Sequence, residues 1–301
     1  MQIAMIGLGR MGANMAQRLM SGGHEVVGFD PIEAARQSIE EKGAETAVSL
    51  EALVAKLKTP RVLWLMVPAG PITDATIDSL TPLLAADDCI IDGGNSNYRD
   101  TQRRAAALVP RRIHYVDSGT SGGVWGLTEG YSLMIGGDKA VVERLRPIFE
   151  TLAPAADKGW GRVGAVGSGH YTKMIHNGIE YGLMQAYAEG FSILQHKSEF
   201  ELDLSQVAEI WRYGSVVRSW LLDLTANALQ RNPTLGGIAP YVADSGEGRW
   251  TVAEAVELGV PAIVITASLL ERFRSRDSDS FIDKLLAAMR NQFGGHEIKK
   301  E

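Results

Sequence analysis

Cysteine is almost absent from this chain. The one thiol, Cys89, sits in the apolar run Cys89-Ile90-Ile91, so no intrachain disulfide can form and the residue reads as buried and inert. A reducing cytoplasm suits that usage. A basic excess is missing too: 30 Lys and Arg face 36 Asp and Glu, a net charge of −6, and no arginine-rich run offers a field to a nucleic-acid backbone. Long hydrophobic stretches are lacking, each being broken by Gly, Pro or charge well before the roughly 20 residues that span a bilayer. No membrane role is expected. The opening Gln2-Ile3-Ala4-Met5-Ile6 reads as a strand, without the basic segment, apolar run and cleavage site of a secretory signal, so no targeting is expected. No repeat or low-complexity tract is visible, and 301 residues at 45% hydrophobic can bury a sizeable core.

What is present alternates. Short β-branched runs at Ile3 to Ile6, Glu25 to Phe29, Val62 to Met66, Cys89 to Asp92, His114 to Asp117 and Ser132 to Ile135 are separated by helical patterns, which predicts a doubly wound parallel sheet with crossover helices. After about Gly169 the strand signals stop, and Tyr171 to Gln195 and Ser205 to Gln230 carry helical spacing. The expected fold is an α/β Rossmann-like domain over residues 1–166, followed by an all-α domain over 167–301 for substrate and oligomerisation. The boundary is placed in the glycine-rich stretch from Gly159 to Gly169, too flexible for a helix interior.

The first strand runs into Gly7-Leu8-Gly9-Arg10-Met11-Gly12 and then a helical pattern. Glycines at these three places allow a tight turn, close approach to a pyrophosphate and close helix packing, while the helix start supplies free N–H groups. Asp30 ends the second strand, about 20 residues past the turn, where a carboxylate accepts hydrogen bonds from ribose hydroxyls and repels a 2′-phosphate. NAD is therefore favoured over NADP, although Arg36 is near enough in sequence to reach a 2′-phosphate. Farther on, Lys173, His176, Asn177 and Glu180 lie at offsets of 3, 4 and 7 from the lysine, so they share one helix face carrying a base, an acid and two hydrogen-bonding groups. The bland alternative, a solvated charge pattern, fits poorly beside Met174, Ile175 and Ile179.

Three segments resemble 6-phosphogluconate dehydrogenase: Asp92-Gly93-Gly94-Asn95-Ser96; Gly119-Thr120-Ser121-Gly122-Gly123 with Gly130-Tyr131-Ser132-Leu133-Met134; and Gly169 to Tyr181, which holds Lys173-Met174-Ile175-His176-Asn177-Gly178-Ile179-Glu180-Tyr181. The resemblance runs from the first strand to the tail and is to the family's short form. It implies oxidative decarboxylation of 6-phosphogluconate to ribulose 5-phosphate and CO2 with reduction of NAD, a step of the pentose phosphate pathway. Oxidising a secondary alcohol needs a base, and a lysine serves when burial and nearby charge lower its pKa. Lys173 is the candidate base, and once protonated it can activate the ketone for loss of CO2 without a metal. Glu180 is the candidate acid for C1 of the enediol, with His176 and Asn177 orienting substrate hydroxyls and carboxylate.

The resemblance further implies that Ser121, Gly122 and Gly123 form a loop at the sugar-acid end, that Asn95 contacts cofactor and substrate, and that Val67, Pro68 and Ala69 pass along the nicotinamide. Phosphate ligands are expected in Tyr181, Arg272 and Arg290, with Arg290 and His296 entering a neighbouring subunit's site, so a homo-oligomer, dimer or tetramer, is implied. One departure stands out: where the long form has a substrate lysine before Gly-Thr-Gly-Lys-Trp, this chain has Ser245 in Asp244-Ser245-Gly246-Glu247-Gly248-Arg249-Trp250. Arg249 replacing the charge, or Glu247 facing a substrate hydroxyl, are both open. Two competing functions are another β-hydroxyacid dehydrogenase, such as a 3-hydroxyisobutyrate type, and a nicotinamide-binding sensor without turnover. The first would lack the Asp92 to Ser96 run and the phosphate arginines, the second the lysine or the glutamate.

Overall fold

The computed structural model describes residues 1–299. Eight strands, β1 (Gln2–Ile6), β2 (Glu25–Phe29), β3 (Glu45–Thr46), β4 (Val62–Leu65), β5 (Cys89–Asp92), β6 (His114–Ser121), β7 (Ser132–Gly136) and β8 (Trp160–Gly164), form one sheet in the order β3-β2-β1-β4-β5-β6-β7-β8. Every neighbouring pair is parallel except β6 with β7. Both faces are covered, which is why the central strands read as continuous apolar runs. Ile3 and Met5 face one core with Trp64, Ile91 and Phe149, while Ala4 and Ile6 face the other with Leu63, Leu65 and Ile90. Cys89 is fully buried, and burial pushes its thiol up to about 12.

β1 has β2 on one side and β4 on the other, so the chain crosses in opposite directions from it, and a crevice opens beyond the carboxyl ends of β1 and β4. In detail, sequence and structure differ. Trp160 to Gly164, expected as part of a flexible boundary, is strand β8, whose pairing with β7 overrides its two glycines. Ser205 to Gln230, expected as one helical stretch, is two helices, Leu204–Arg212 and Trp220–Arg231; Gly214 at φ +73° ends the first, and the Ser219 hydroxyl accepts the Leu222 N–H to start the second.

The chain divides into two compact units, Met1–His176 and a second beginning at Asn177, so the division falls inside the long helix Ser168–His196. The second unit is helical throughout its described elements, with a small core of Phe191, Ala208, Leu222, Ala226 and Leu229. Among the described residues, no helix is long and apolar enough to cross a membrane.

Where the long helix begins, the backbone approaches the sheet closely. A Cβ at Gly169 would lie 2.4 Å from the Met134 carbonyl oxygen and 2.7 Å from that of Asp117. Neither backbone can give way, so Gly169→Ala is expected to cost about 1–3 kcal/mol by overpacking. Gly161→Ala, which meets nothing within 4 Å among the described residues, should stay within about 0.5 kcal/mol of the parent. Urea unfolding of both variants checks this, and equal midpoints would contradict the docking argument.

Candidate active site

The turn after β1 is built by exclusion of side chains. Gly7 holds φ +91°, and a Cβ there would fall 2.4 Å from the Met66 carbonyl oxygen; one at Gly12 would fall 1.9 Å from the Gly7 oxygen. At Gly9 a Cβ would meet no described atom within 4 Å. Gly7 and Gly12 thus close the turn against the protein, while Gly9 leaves an open concavity at the start of helix Arg10–Ser21, where the first N–H groups have no side chain to cap them. That is the donor set a pyrophosphate needs. Within the run, the Leu8 side chain belongs to the core, Met11 packs partly against it, and Arg10 is exposed.

Asp30 is buried and locked to this turn. Its Oδ2 accepts the Leu8 N–H at 2.8 Å and its Oδ1 the Ile32 N–H at 2.9 Å. Each oxygen keeps a lone pair for a further donor. Arg36 folds back on the same segment, its Nη1 donating to the carbonyls of Asp30 at 2.7 Å and Pro31 at 3.3 Å.

On the other side of the crevice, Val67 is half-buried while Pro68 and Ala69 are exposed, and Asn95 is exposed on the loop after β5. The rest of that loop turns inward. Asp92 Oδ1 accepts the Gly94 N–H at 3.1 Å, and Asp92 Oδ2 accepts Ser96 Oγ and the Tyr115 hydroxyl, each at 2.9 Å. In Asp92-Gly93-Gly94-Asn95-Ser96 the acid and the serine are therefore scaffold, and Asn95 is presented by them. Burial and the neighbouring Asp92 push the Tyr115 phenol well above its ordinary range, which keeps it a donor.

Ser121 lies at the end of β6, paired across to Ser132, and not on a loop as the resemblance implied; the antiparallel partner β7 extends the strand. Gly122 and Gly123 follow with φ +131° and +53°, a backbone that only glycine adopts freely. Nearby, buried Asp117 caps the long helix: its Oδ1 accepts the Gly167 N–H at 2.7 Å and its Oδ2 the His170 N–H at 2.8 Å. Gly119 makes room for that helix, since a Cβ there would sit 2.5 Å from Lys173 Cβ. Lys173 is half-buried, and its Nζ lies 3.4 Å from His176 Nδ1, within hydrogen-bond reach.

In the second unit Asn177 and Glu180 are half-buried and Tyr181 is buried. Arg272 places its guanidinium carbon 3.5 Å over the Tyr181 ring and donates from Nη1 to the Ala243 carbonyl at 2.8 Å, so two of the three expected phosphate ligands are stacked together. Arg290 lies exposed on helix Phe281–Gly294, and His296 lies exposed beyond it, its carbonyl accepting from Asn291 Nδ2 at 2.9 Å. At the departure from the long form, Arg249 is engaged by Asp244 at 2.8 and 3.1 Å and stands over Phe273. Glu247 is buried, its Oε2 accepting Ser245 Oγ at 2.6 Å. Arg249, then Arg276, hold the Asp244 carboxyl below its usual range. No group of three or more His, Cys, Asp or Glu that could hold a metal ion occurs among the described residues.

Sequence reasoning missed Asp117, Gly119 and the scaffold of Asp92, Ser96, Arg104 and Tyr115. An acid at the end of the strand expected from sequence, followed two residues later by glycine, was a readable signal for Asp117 and Gly119. Arg104, in Arg103-Arg104-Ala105, carried none.

Comparison with known proteins matches residues 2–166 to the NAD binding domain of 6-phosphogluconate dehydrogenase and residues 169–301 to the C-terminal domain of the same enzyme. A Haloferax volcanii protein named as an NAD(+)-dependent, decarboxylating 6-phosphogluconate dehydrogenase is 46% identical, covering 100% of this chain and 99% of its own. An NADP(+)-dependent, decarboxylating enzyme from Bacillus subtilis is 39% identical over 91% of this chain and 61% of a longer one. Among solved structures, Plasmodium falciparum 6-phosphogluconate dehydrogenase, described with NADP+ and with 6-phosphogluconate, superposes with a TM-score of 0.85 at 30% identity, covering 100% of this chain and 66% of that one. With both halves matched in order and the glycine turn, the Asp92 loop and the Lys173 helix all in place, this chain belongs to the 6-phosphogluconate dehydrogenase family.

Proposed function

We propose that this protein oxidises and decarboxylates 6-phosphogluconate to ribulose 5-phosphate and CO2 in the pentose phosphate pathway of the cytoplasm, with NAD as the preferred acceptor. The cofactor half is residues 1–166 and the substrate half residues 167–301. The observation that carries this reading is the lysine–histidine contact on the long helix, docked on the sheet by Asp117 and Gly119. NAD, when bound, takes the hydride from the substrate carbon.

In this reading the turn at Gly7, Leu8, Gly9, Arg10, Met11 and Gly12 cradles the pyrophosphate, Asp30 holds the adenosine ribose, and Val67, Pro68, Ala69 and Asn95 line the nicotinamide side. Lys173 takes the hydroxyl proton as the hydride leaves. The product is a β-keto acid, and the Lys173 ammonium then donates to its ketone oxygen, so that electrons released as the carboxylate departs as CO2 settle on that oxygen. Glu180 gives a proton to C1 of the enediol, whose hydroxyl proton returns to the protein as the ketose forms. Ser121, Gly122, Gly123, Asn95, His176 and Asn177 orient the sugar acid, and Tyr181 and Arg272 hold the phosphate.

Arg290 and His296 complete the site of a neighbouring subunit in a homo-oligomer. In support, the second unit leaves Ile263, Val264, Phe281 and Ile282 more than half exposed, apolar side chains of the kind a neighbouring subunit covers.

Lys173→Met is expected to lower kcat by about 10²-fold or more, since the base is removed, while NAD binding stays near the parent value. Steady-state rates with 6-phosphogluconate and a cofactor titration measure both, and near-parental turnover removes Lys173 from the base role. Asp30→Asn should raise the NADP-to-NAD ratio of kcat/KM by about tenfold, the effect of one charge facing a 2′-phosphate; a parent protein that already prefers NADP refutes the assignment. For the tail, Arg290→Ala and Lys173→Met chains are each expected to be weak, and hybrids assembled from both should regain activity. Hybrids no more active than the summed parents, with subunit exchange confirmed, would return the tail to its own chain.

A further inference from the structure

Arg104 is charged, almost fully buried and placed where the dehydrogenase reaction makes no direct use of it. It lies on helix Tyr98–Leu108, which follows the loop after β5, with 3% of its surface exposed. Its guanidinium is spread over two neighbouring β–loop–helix units. Towards its own unit, Nη1 donates to Ser96 Oγ at 3.1 Å and Asp92 Oδ2 at 3.4 Å. Towards the unit of β4, Nε donates to Asp74 Oδ1 at 2.8 Å and Nη2 to the Gly70 carbonyl at 3.2 Å. The two loops also touch directly, because a Cβ at Gly94 would lie 3.0 Å from the Val67 carbonyl oxygen.

A guanidinium costs several kcal/mol to bury, and stability alone is poorly served by one. Its planar fork does something no apolar replacement can: it fixes two backbone segments at a set separation and angle. The segments fixed here are residues 66–70 and 93–96, which end in Gly70 and Ser96 and carry residues 67–69 and the exposed Asn95 between them. We propose that Arg104 is a positioning residue that sets the spacing of these two loops from beneath, and so aligns the nicotinamide end of the cofactor and Asn95 with the substrate. The inference rests on the functional reading above for the identity of the nicotinamide side. It predicts an effect confined to that end, since the Gly7 to Gly12 turn and Asp30 make none of the Arg104 contacts named here.

The test compares the full-length parent with Arg104→Lys and Ser96→Ala. A lysine keeps the charge beside Asp92 but presents one nitrogen in place of three, and the serine change loosens one arm without stranding a buried charge. Affinities for NAD and for ADP-ribose, which lacks the nicotinamide, are measured by calorimetry, with kcat and KM for 6-phosphogluconate at saturating NAD. For Arg104→Lys, ADP-ribose affinity should stay within about twofold while kcat falls about tenfold or more, as misplacement of reacting groups by a fraction of an ångström does. Ser96→Ala should likewise leave ADP-ribose affinity within about twofold and lower kcat by a smaller factor that still exceeds about twofold, and it decides the matter if the lysine variant does not fold. A kcat within about twofold of the parent in the folded variants overturns the proposal. So does a parallel weakening of ADP-ribose and NAD, the mark of general damage. If the parent does not turn over 6-phosphogluconate, the functional reading fails by itself, and the ratio of NAD to ADP-ribose affinity still judges Arg104: a ratio reduced in the variants supports the role and an unchanged ratio removes it.

Discussion

The carboxylate of Asp117 is the constraint on which the rest of the first unit's chemistry depends. It is fully buried at the middle of β6 and spends both oxygens on the N–H groups of Gly167 and His170, satisfying donors that the start of a long helix would otherwise leave bare. A buried carboxylate without such donors would be costly. With them it fixes where the helix begins. Gly119 and Gly169 then let helix and sheet backbones approach to distances no side chain permits, and Lys173 is carried at a defined height above the sheet. The position of the lysine is thus set by an acid and two glycines that have no chemistry of their own.

The cofactor side works by the same economy. Gly7 and Gly12 are required because backbone fills the space their side chains would occupy, whereas Gly9 borders a space that no described residue fills. Asp30 does two things at once: it ties the turn to β2 through the Leu8 N–H, and it holds the following segment through the Ile32 N–H. Asp92 plays the complementary part at the far side, drawing Ser96 and Tyr115 inward so that Asn95 is left outward. Motif residues in both loops divide into those that hold the loop and those that the loop presents.

At the position where the resemblance puts a lysine in the long form, the second unit pairs its polar groups with one another. Ser245 donates to buried Glu247, while Arg249 is engaged by Asp244, which also binds Arg276 at 2.9 Å. Of the two substitutes that the local sequence leaves open, Arg249 has its charge answered within the protein and Glu247 has its carboxylate turned inward. Glu247 Oε1 stays buried without a hydrogen-bond partner among the described residues, and the Tyr181–Arg272 stack lies beside this stretch.

By itself the sequence determined the alternation of strands and helices, the glycine turn with its strand-end acid, and the shared face of Lys173, His176, Asn177 and Glu180. Each follows from a local rule: side-chain period, backbone freedom at glycine, or helical spacing. Tertiary structure alone decided that Trp160 to Gly164 joins the sheet, that Ser121 ends a strand, and that Tyr213 to Ser219 interrupts a helical pattern. Pairing with β7 overrides the glycines in the first case and lengthens β6 in the second. It also decided the pairings of Asp117 with Gly167 and His170, of Asp92 with Tyr115 and Arg104, and of Arg104 with Asp74 and Gly70, which span 12 to 53 positions along the chain. No periodicity records a hydrogen bond between residues so far apart, because such a bond exists only once the strands that carry them are side by side.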